Sequence, residues 1–258
     1  MPIVNFVFST ELSYYLLLIP QFNNHFGNIL VQHFSNKIKI ILATILLIII
    51  ASVIYSVTQK EAELPKMTVQ EKKARFIALI VPAVNIVYAK LMARYEEIKI
   101  TLDAGKTNAE IEKLKVEYKV ITNEKLLMAL KPSPKSITIA QAAIESSWAT
   151  SRFFRVANNI FGVWSFDADE PRVAALQKRG DKTIWVKKYD SIEDAIYDYY
   201  RTLGRSGAFA EFRQARMKTN DPFILVTKLD RYSEKGSLYG EELTSIIKFN
   251  KFDKYDAD

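Results

Sequence analysis

Residues 40–57, IILATILLIIIASVIYSV, carry no charge, with Lys37 and Lys39 before them and Lys60 and Glu61 after them. As a helix this run reaches about 27 Å, close to the thickness of a bilayer's hydrocarbon core. None of its faces is polar, which argues against the surface helix of a globular domain. A secretory signal has a shorter apolar core that stops at small residues, whereas here the run continues past Ala51-Ser52-Val53. The reading is an uncleaved transmembrane signal anchor over residues 36–59, with Lys37 and Lys39 holding the N-terminus in the cytoplasm. Residues 60–67 are then a linker, and everything beyond it lies outside the membrane. Residues 1–35 form a leader without an assignable structure. Their apolar stretch 6–20 is interrupted by Glu11 and ends at Pro20.

The chemistry open to the rest of the chain is narrowed by what it lacks. There is no cysteine, and the two histidines, His25 and His33, both precede the anchor. A zinc hydrolase needs histidine or cysteine ligands, and serine and cysteine triads need a histidine base. None of these can be built from residues 67–258, which leaves carboxylate chemistry, with no metal and no cofactor. The net charge of +7 raises the question of nucleic acid. Lysines and arginines are scattered among acids rather than gathered with aromatics, so the expectation is a solvated basic surface and no nucleic-acid partner.

Residues 68–130 read as a helical N-terminal part. Phe76, Ile77, Ile80, Ala83, Val87 and Leu91 recur at helical spacing over 69–94, kinked or broken near Pro82. The pattern continues over 96–102 to a turn at Asp103-Ala104-Gly105. Thr107-Asn108-Ala109-Glu110 then resembles a capping box that opens a helix running to about Val120. The Pro-rich Lys131–Pro134 stretch is a hard stop before the region 131–254. Within that region Ile137, Ala140, Ile144 and Trp148 follow helical spacing, so Glu145 is expected mid-helix, on one stripe with Gln141 and Trp148. Residues 172–178 and 183–189 alternate around Arg179-Gly180-Asp181-Lys182, a hairpin pattern. Ser191 with Asp194 three residues on reads as a capping box for a helix over 192–202. Further helices are expected at 208–213, 223–229 and 239–249.

Three stretches together carry a resemblance. AQAAIESSWATS (140–151) followed by NNIFG (158–162) is similar to the signature AQAxxESxWGxS…NNLFG of bacterial glucosaminidases, glycoside hydrolase family 73. YDSIEDA (189–195) resembles that family's entry into its next helix. RYSEKG (231–236), with Tyr239 beyond, resembles the RYSERG…Y…I ending of its membrane-anchored Bax-type branch. The resemblance covers roughly residues 68–253.

It implies a lysozyme-like α+β domain, mostly helical, with a small β-hairpin, behind an N-terminal transmembrane helix. It also implies cleavage of β-1,4 bonds in peptidoglycan glycan strands on the periplasmic side of the inner membrane. Glu145 falls on the family's general acid. Its apolar neighbours Ile144 and Trp148 would raise its pKa and keep it protonated near neutral pH. Tyr232 matches a tyrosine placed near that acid. Asn158, Asn159 and Phe161 match the substrate-side motif, while Trp164 and Tyr189 are candidate sugar-stacking surfaces. A second carboxylate is expected on the hairpin, yet residues 172–178 contain none. Glu170, just before the hairpin, is the candidate; substrate assistance by a 2-acetamido group is the other route. Two other readings stay open: a peptidoglycan-binding module without turnover, and an amidase, against which the missing histidine and cysteine count.

Overall fold

The computed structural model describes residues 36–58 and 64–257. The leader and part of the linker lie outside the described residues. The chain divides into two compact units, Met1–Glu63 and Leu64–Asp258.

In the first unit, helix α1 (Asn36–Thr58) spans 23 residues, or about 35 Å at 1.5 Å per residue. Its described apolar side chains, between Ile38 and Val53, are exposed, Ile40 at 66% and Leu47 at 66% among them. Among the described residues the apolar stretch of α1, Ile38–Val53, is the shorter, and the helix long and apolar enough to cross a membrane by length and composition is a second one, α2 (Val69–Asp103). Its apolar face, however, is taken up by Phe76, Ile80, Val84 and Val87, all buried in the second unit's core. It is the central helix of a globular unit, whereas the described apolar side chains of α1 are exposed.

Helix α2 opens on Thr68, whose side chain accepts from the Glu71 amide while Glu71 returns a bond to the Thr68 amide. It runs unbroken through Pro82, where the sequence suggested a kink or break. Ala78 and Pro82 both lie on the exposed side, so the carbonyl that loses its donor faces water. The opposite face, packed against helices α5 and α7, carries the helix through. Helix α3 (Ala109–Tyr118) starts one residue from the expected cap: Asn108, not Thr107, accepts from the Ile111 amide. Helix α4 (Asn123–Leu130) completes the smaller of two core clusters, with Tyr95, Ile98, Ile111 and Tyr118.

Helix α5 (Lys135–Glu145) is the most enclosed element, buried from Lys135 to Ala143. Pro134 offers no side chain to cap it. Asp256, from the far end of the chain, does so instead: its carboxylate accepts from the Ser136 amide at 2.8 Å and from the Ser136 hydroxyl. Helix α6 (Arg152–Ala157) follows. The hairpin pairs β1 (Arg172–Arg179) with β2 (Lys182–Lys187), Arg172 opposite Lys187 and Arg179 opposite Lys182. Gly180 supplies the left-handed turn residue at φ +61°. Trp164 forms a further bridge to Val186.

Helix α7 (Ile192–Arg205) is capped by Ser191, whose hydroxyl accepts from the Asp194 amide; the return half of the expected capping box differs, since the Asp194 carboxylate accepts from that hydroxyl and not from the Ser191 amide. Helices α8 (Ala210–Lys218), α9 (Pro222–Leu225) and α10 (Ser237–Asn250) close the unit. Not all basic residues are solvated. Arg216 is 1% exposed and spends one Nη on the carbonyl of Met128 at the end of α4. The result is an α+β unit, mostly helical, with one small hairpin, and a separate long apolar helix ahead of it.

Candidate active site

Glu145 is the last residue of α5, not a mid-helix residue. Beyond Ser146, three residues in a row take left-handed backbone angles: Ser147 at φ +52°, Trp148 at +62° and Ala149 at +59°. For residues with a side chain this costs on the order of 1–2 kcal/mol each. Ala149 stands where the family signature has glycine, so that relief is absent here. Ser146 supplies part of the compensation. Its hydroxyl donates to the Ala142 carbonyl at 2.5 Å and accepts from the Ala149 amide at 2.8 Å. Trp148 therefore leaves the stripe it was expected to share with Gln141 and Glu145.

Gln141, one turn before Glu145, does face the same way and organises a buried relay. The Tyr199 hydroxyl donates to Gln141 Oε1 at 2.5 Å, and Gln141 Nε2 donates to the Tyr239 hydroxyl at 3.0 Å. That hydroxyl in turn donates to Glu145 Oε1 at 2.9 Å. Each member of this chain is satisfied by the next, as buried polar groups require. Among the described residues Oε2 of Glu145 has no hydrogen-bond partner, so one carboxyl oxygen is fixed and the other is left to react.

Burial raises the pKa of Glu145 above the ordinary carboxylate value. The Tyr239 hydrogen bond pulls it back down, the Glu242 carboxylate pushes it up, and Lys235 lowers it. Lys235 and Glu242 pair at 2.6 Å. The carboxyl also sits at the negative end of α5, which favours its neutral form.

Aromatic rings wall the relay. Tyr232 stacks on Tyr239 with centroids 5.5 Å apart and planes 5° apart, and Phe161 stacks on Tyr199 at 4.2 Å. Tyr232 is thus beside the acid's partner, while the hydroxyl that reaches Glu145 belongs to Tyr239. The sequence held a signal for it, since Tyr239 is the tyrosine of the Y…I ending.

The remaining candidates gather at the base of the hairpin. Asn158 takes φ +51° and its Nδ2 donates to the carbonyls of Tyr189 and Asp190. Asn159 is 1% exposed; Nδ2 donates to the carbonyls of Val163 and Lys187, and Oδ1 accepts from the Val163 amide. Both amides are occupied in holding the NNIFG turn against β2. The Tyr189 hydroxyl donates to Asp198 at 2.7 Å. Burial alone would raise the pKa of Asp198, but Tyr189 and Arg201 outweigh it and hold the carboxyl below its ordinary value. Glu170 joins this cluster through Lys187 Nζ at 3.4 Å. Trp164, 43% exposed, pairs at 6.2 Å with Phe166, which is 88% exposed.

A cavity of about 320 Å³ opens elsewhere, lined by Leu91, Tyr118, Glu193 and Tyr197 among others. It does not include Glu145. The relay and the Glu145 carboxyl lie at the end of α5, apart from this cavity's lining. Among the described residues no group of three or more histidine, aspartate or glutamate side chains is placed to hold a metal ion.

Among the known proteins similar to this chain are a curated relative and two solved structures. Protein bax of Escherichia coli (strain K12) is 27% identical over 124 residues, 46% of this chain and 43% of that protein. The chain thus spans under half the length of that relative. The crystal structure of the catalytic domain of the autolysin Auto from Listeria monocytogenes is 16% identical, with a TM-score of 0.42 over 75% of this chain and 100% of that one. A glycoside hydrolase domain of Salmonella typhimurium FlgJ is 20% identical, with a TM-score of 0.37 over 54% of this chain and 97% of that one. The model of one family, described as mannosyl-glycoprotein endo-beta-N-acetylglucosaminidase, matches residues 124–252, which include Gln141, Glu145, Phe161, Tyr199, Tyr232 and Tyr239. With half its length matched and the whole relay inside the match, the chain belongs to the glucosaminidase family.

Proposed function

We propose that this chain is a membrane-anchored cell-wall hydrolase that cleaves the β-1,4 bond following N-acetylglucosamine in peptidoglycan. The observation that carries the reading is the Glu145 carboxyl, half-buried, held at Oε1 by Tyr239 and without a partner at Oε2 among the described residues. Burial keeps the proton on this group at higher pH than on an ordinary carboxyl. Oε2–H donates it to the leaving glycosidic oxygen as the bond breaks and positive charge develops at the anomeric carbon. The carboxylate that remains keeps the Tyr239 hydrogen bond, which favours its charged form. No metal or cofactor is assigned a role.

For the second group the reading retains Glu170, activating water from the hairpin side. Its ion pair with Lys187 must open for it to act. The 2-acetamido group of N-acetylglucosamine, acting as internal nucleophile, makes no demand on that pair. The two routes leave opposite anomers: Glu170 with water inverts, and the acetamido route retains.

Trp164 is a ring for the face of a sugar, with Phe161, Tyr189 and Tyr232 shaping the wall and Asn158 and Asn159 positioning the turn. Residues 40–57 of α1 are read as lying in the inner membrane, N-terminus inside, with Leu64–Asp258 in the periplasm.

The test is release of reducing ends from purified peptidoglycan by the full-length protein and by Glu145→Gln. The reading expects release by the first and a loss of at least about a hundredfold in the second. Equal release would refute it. No release by either folded protein would favour a binding module.

A further inference from the structure

Helix α2 begins 55 residues before the region that the family model matches, yet it touches the turn that ends α5. Arg75 Nη1 donates to the Ala149 carbonyl at 2.8 Å. Lys73 Nζ lies 4.7 Å from the centroid of the Trp148 ring and 4.6 Å from that of Phe249, and donates to Asn250 Oδ1 at 2.7 Å. Phe76, fully buried, meets the Trp148 ring edge-on at 5.2 Å. Two of the three left-handed residues after Glu145 are therefore held from a helix outside the matched region.

We propose that Arg75 and Lys73 are positioning residues for Glu145, which clamp the left-handed turn Ser147–Ala149 so that α5 stops with its terminal carboxyl at Tyr239. The inference rests on the reading of Glu145 as the acid. A turn of three strained residues persists only where its surroundings over-determine it. Ser146, just past the end of α5, and the Trp148 amide, which donates to the Ala143 carbonyl at 2.8 Å, hold its backbone, but these bonds do not reach the Ala149 carbonyl or the Trp148 ring. Arg75 fixes the first, and Lys73 and Phe76 hold the second together with Phe252, whose ring lies 6.2 Å away. Were the turn to relax, α5 would continue as an ordinary helix past Glu145. The carboxyl would lose its terminal position, its burial and its line to Tyr239. The catalytic unit then includes α2, the first helix beyond the linker.

The test uses the full-length protein in detergent micelles, with soluble glycan oligomers as substrate. Arg75→Met keeps the aliphatic stem but cannot donate to Ala149; Arg75→Lys keeps one donor. Arg75→Met should lower kcat about tenfold or more with KM changed less than about twofold, since misplacing a reacting group acts on the chemical step. Its basic pH limb should move to lower pH, because a Glu145 released into water holds its proton less tightly. Arg75→Lys should recover most of both. A general loss of stability would not shift the pH limb of the molecules that remain folded.

Wild-type kcat and pH limb in Arg75→Met, with Glu145→Gln inactive, would overturn the clamp and leave the acid standing. An active Glu145→Gln would overturn the acid assignment and the clamp with it. Should Arg75→Met fail to fold, Lys73→Met, which removes the cation over Trp148, is measured in its place. An unchanged kcat and pH limb there would equally overturn the proposal.

Discussion

Replacing Tyr239 with phenylalanine removes one oxygen and leaves the ring stacked on Tyr232. That oxygen accepts from Gln141 Nε2 and donates to Glu145 Oε1, so its loss is felt twice. Gln141 is 0% exposed, and its stranded amide costs about 1–3 kcal/mol because water cannot replace the partner. A loss of about 2 kcal/mol in a unit of this size lowers Tm by about 4–8 °C. At Glu145 the lost bond is the one that favoured the carboxylate, so the carboxyl's pKa, already raised by burial, rises further. A general acid works only while protonated, and kcat falls as pH passes its pKa in the complex. The basic limb of Tyr239→Phe should therefore lie at higher pH than that of the wild type. Thermal unfolding and kcat from pH 5 to 9 on the same preparation test both effects. An unchanged Tm with a limb that stays put or moves down would refute the relay as drawn.

Other consequences follow from the same packing. The raised pKa of Glu145 gives the wild type a share of stability that is fully present below the unfolded carboxylate value and lost as pH rises through the folded one. Glu145→Gln does not titrate, so it should unfold at a higher temperature than wild type near pH 7, and the advantage should vanish near pH 4. Asp256→Ala should cost about 1–3 kcal/mol in denaturant unfolding, since it strands the fully buried Ser136 at the start of α5. A Cβ at Gly204 would come within 2.6 Å of the Ala129 carbonyl and 2.8 Å of the Tyr118 ring. Gly204→Ala should therefore lose about 1–3 kcal/mol in the same assay, although its φ is ordinary.

Local signals in the sequence were read well because their causes are local. The Ser191 cap lies next to its helix, the Gly180 turn next to its strands, and the apolar run of α1 needs no neighbour to be recognised. Glu145 and the NNIFG turn were visible as a joint pattern, and Gln141 was placed on the acid's stripe by spacing alone. What stayed hidden depends on distance along the chain. Tyr239 reaches Glu145 across 94 residues; the Y…I ending marks this tyrosine among 13, but nothing in the spacing joins it to the acid. Asp256 caps α5 from 120 residues away. The end of α5 at Glu145 was missed for a different reason. Ser-Trp-Ala has no preference for positive φ, and the periodicity of Ile144 and Trp148 continues as if the helix did. Tertiary contacts from α2 and from Phe252 meet that turn, and no window of local sequence contains them.

The central claim is that Glu145 protonates a glycosidic oxygen beside N-acetylglucosamine. Mass spectrometry of peptidoglycan digested by the full-length protein, alongside Glu145→Gln, tests it most directly. The account predicts fragments ending in reducing N-acetylglucosamine with the wild type and none with the variant. Fragments ending in reducing N-acetylmuramic acid, or equal cleavage by Glu145→Gln, would contradict it.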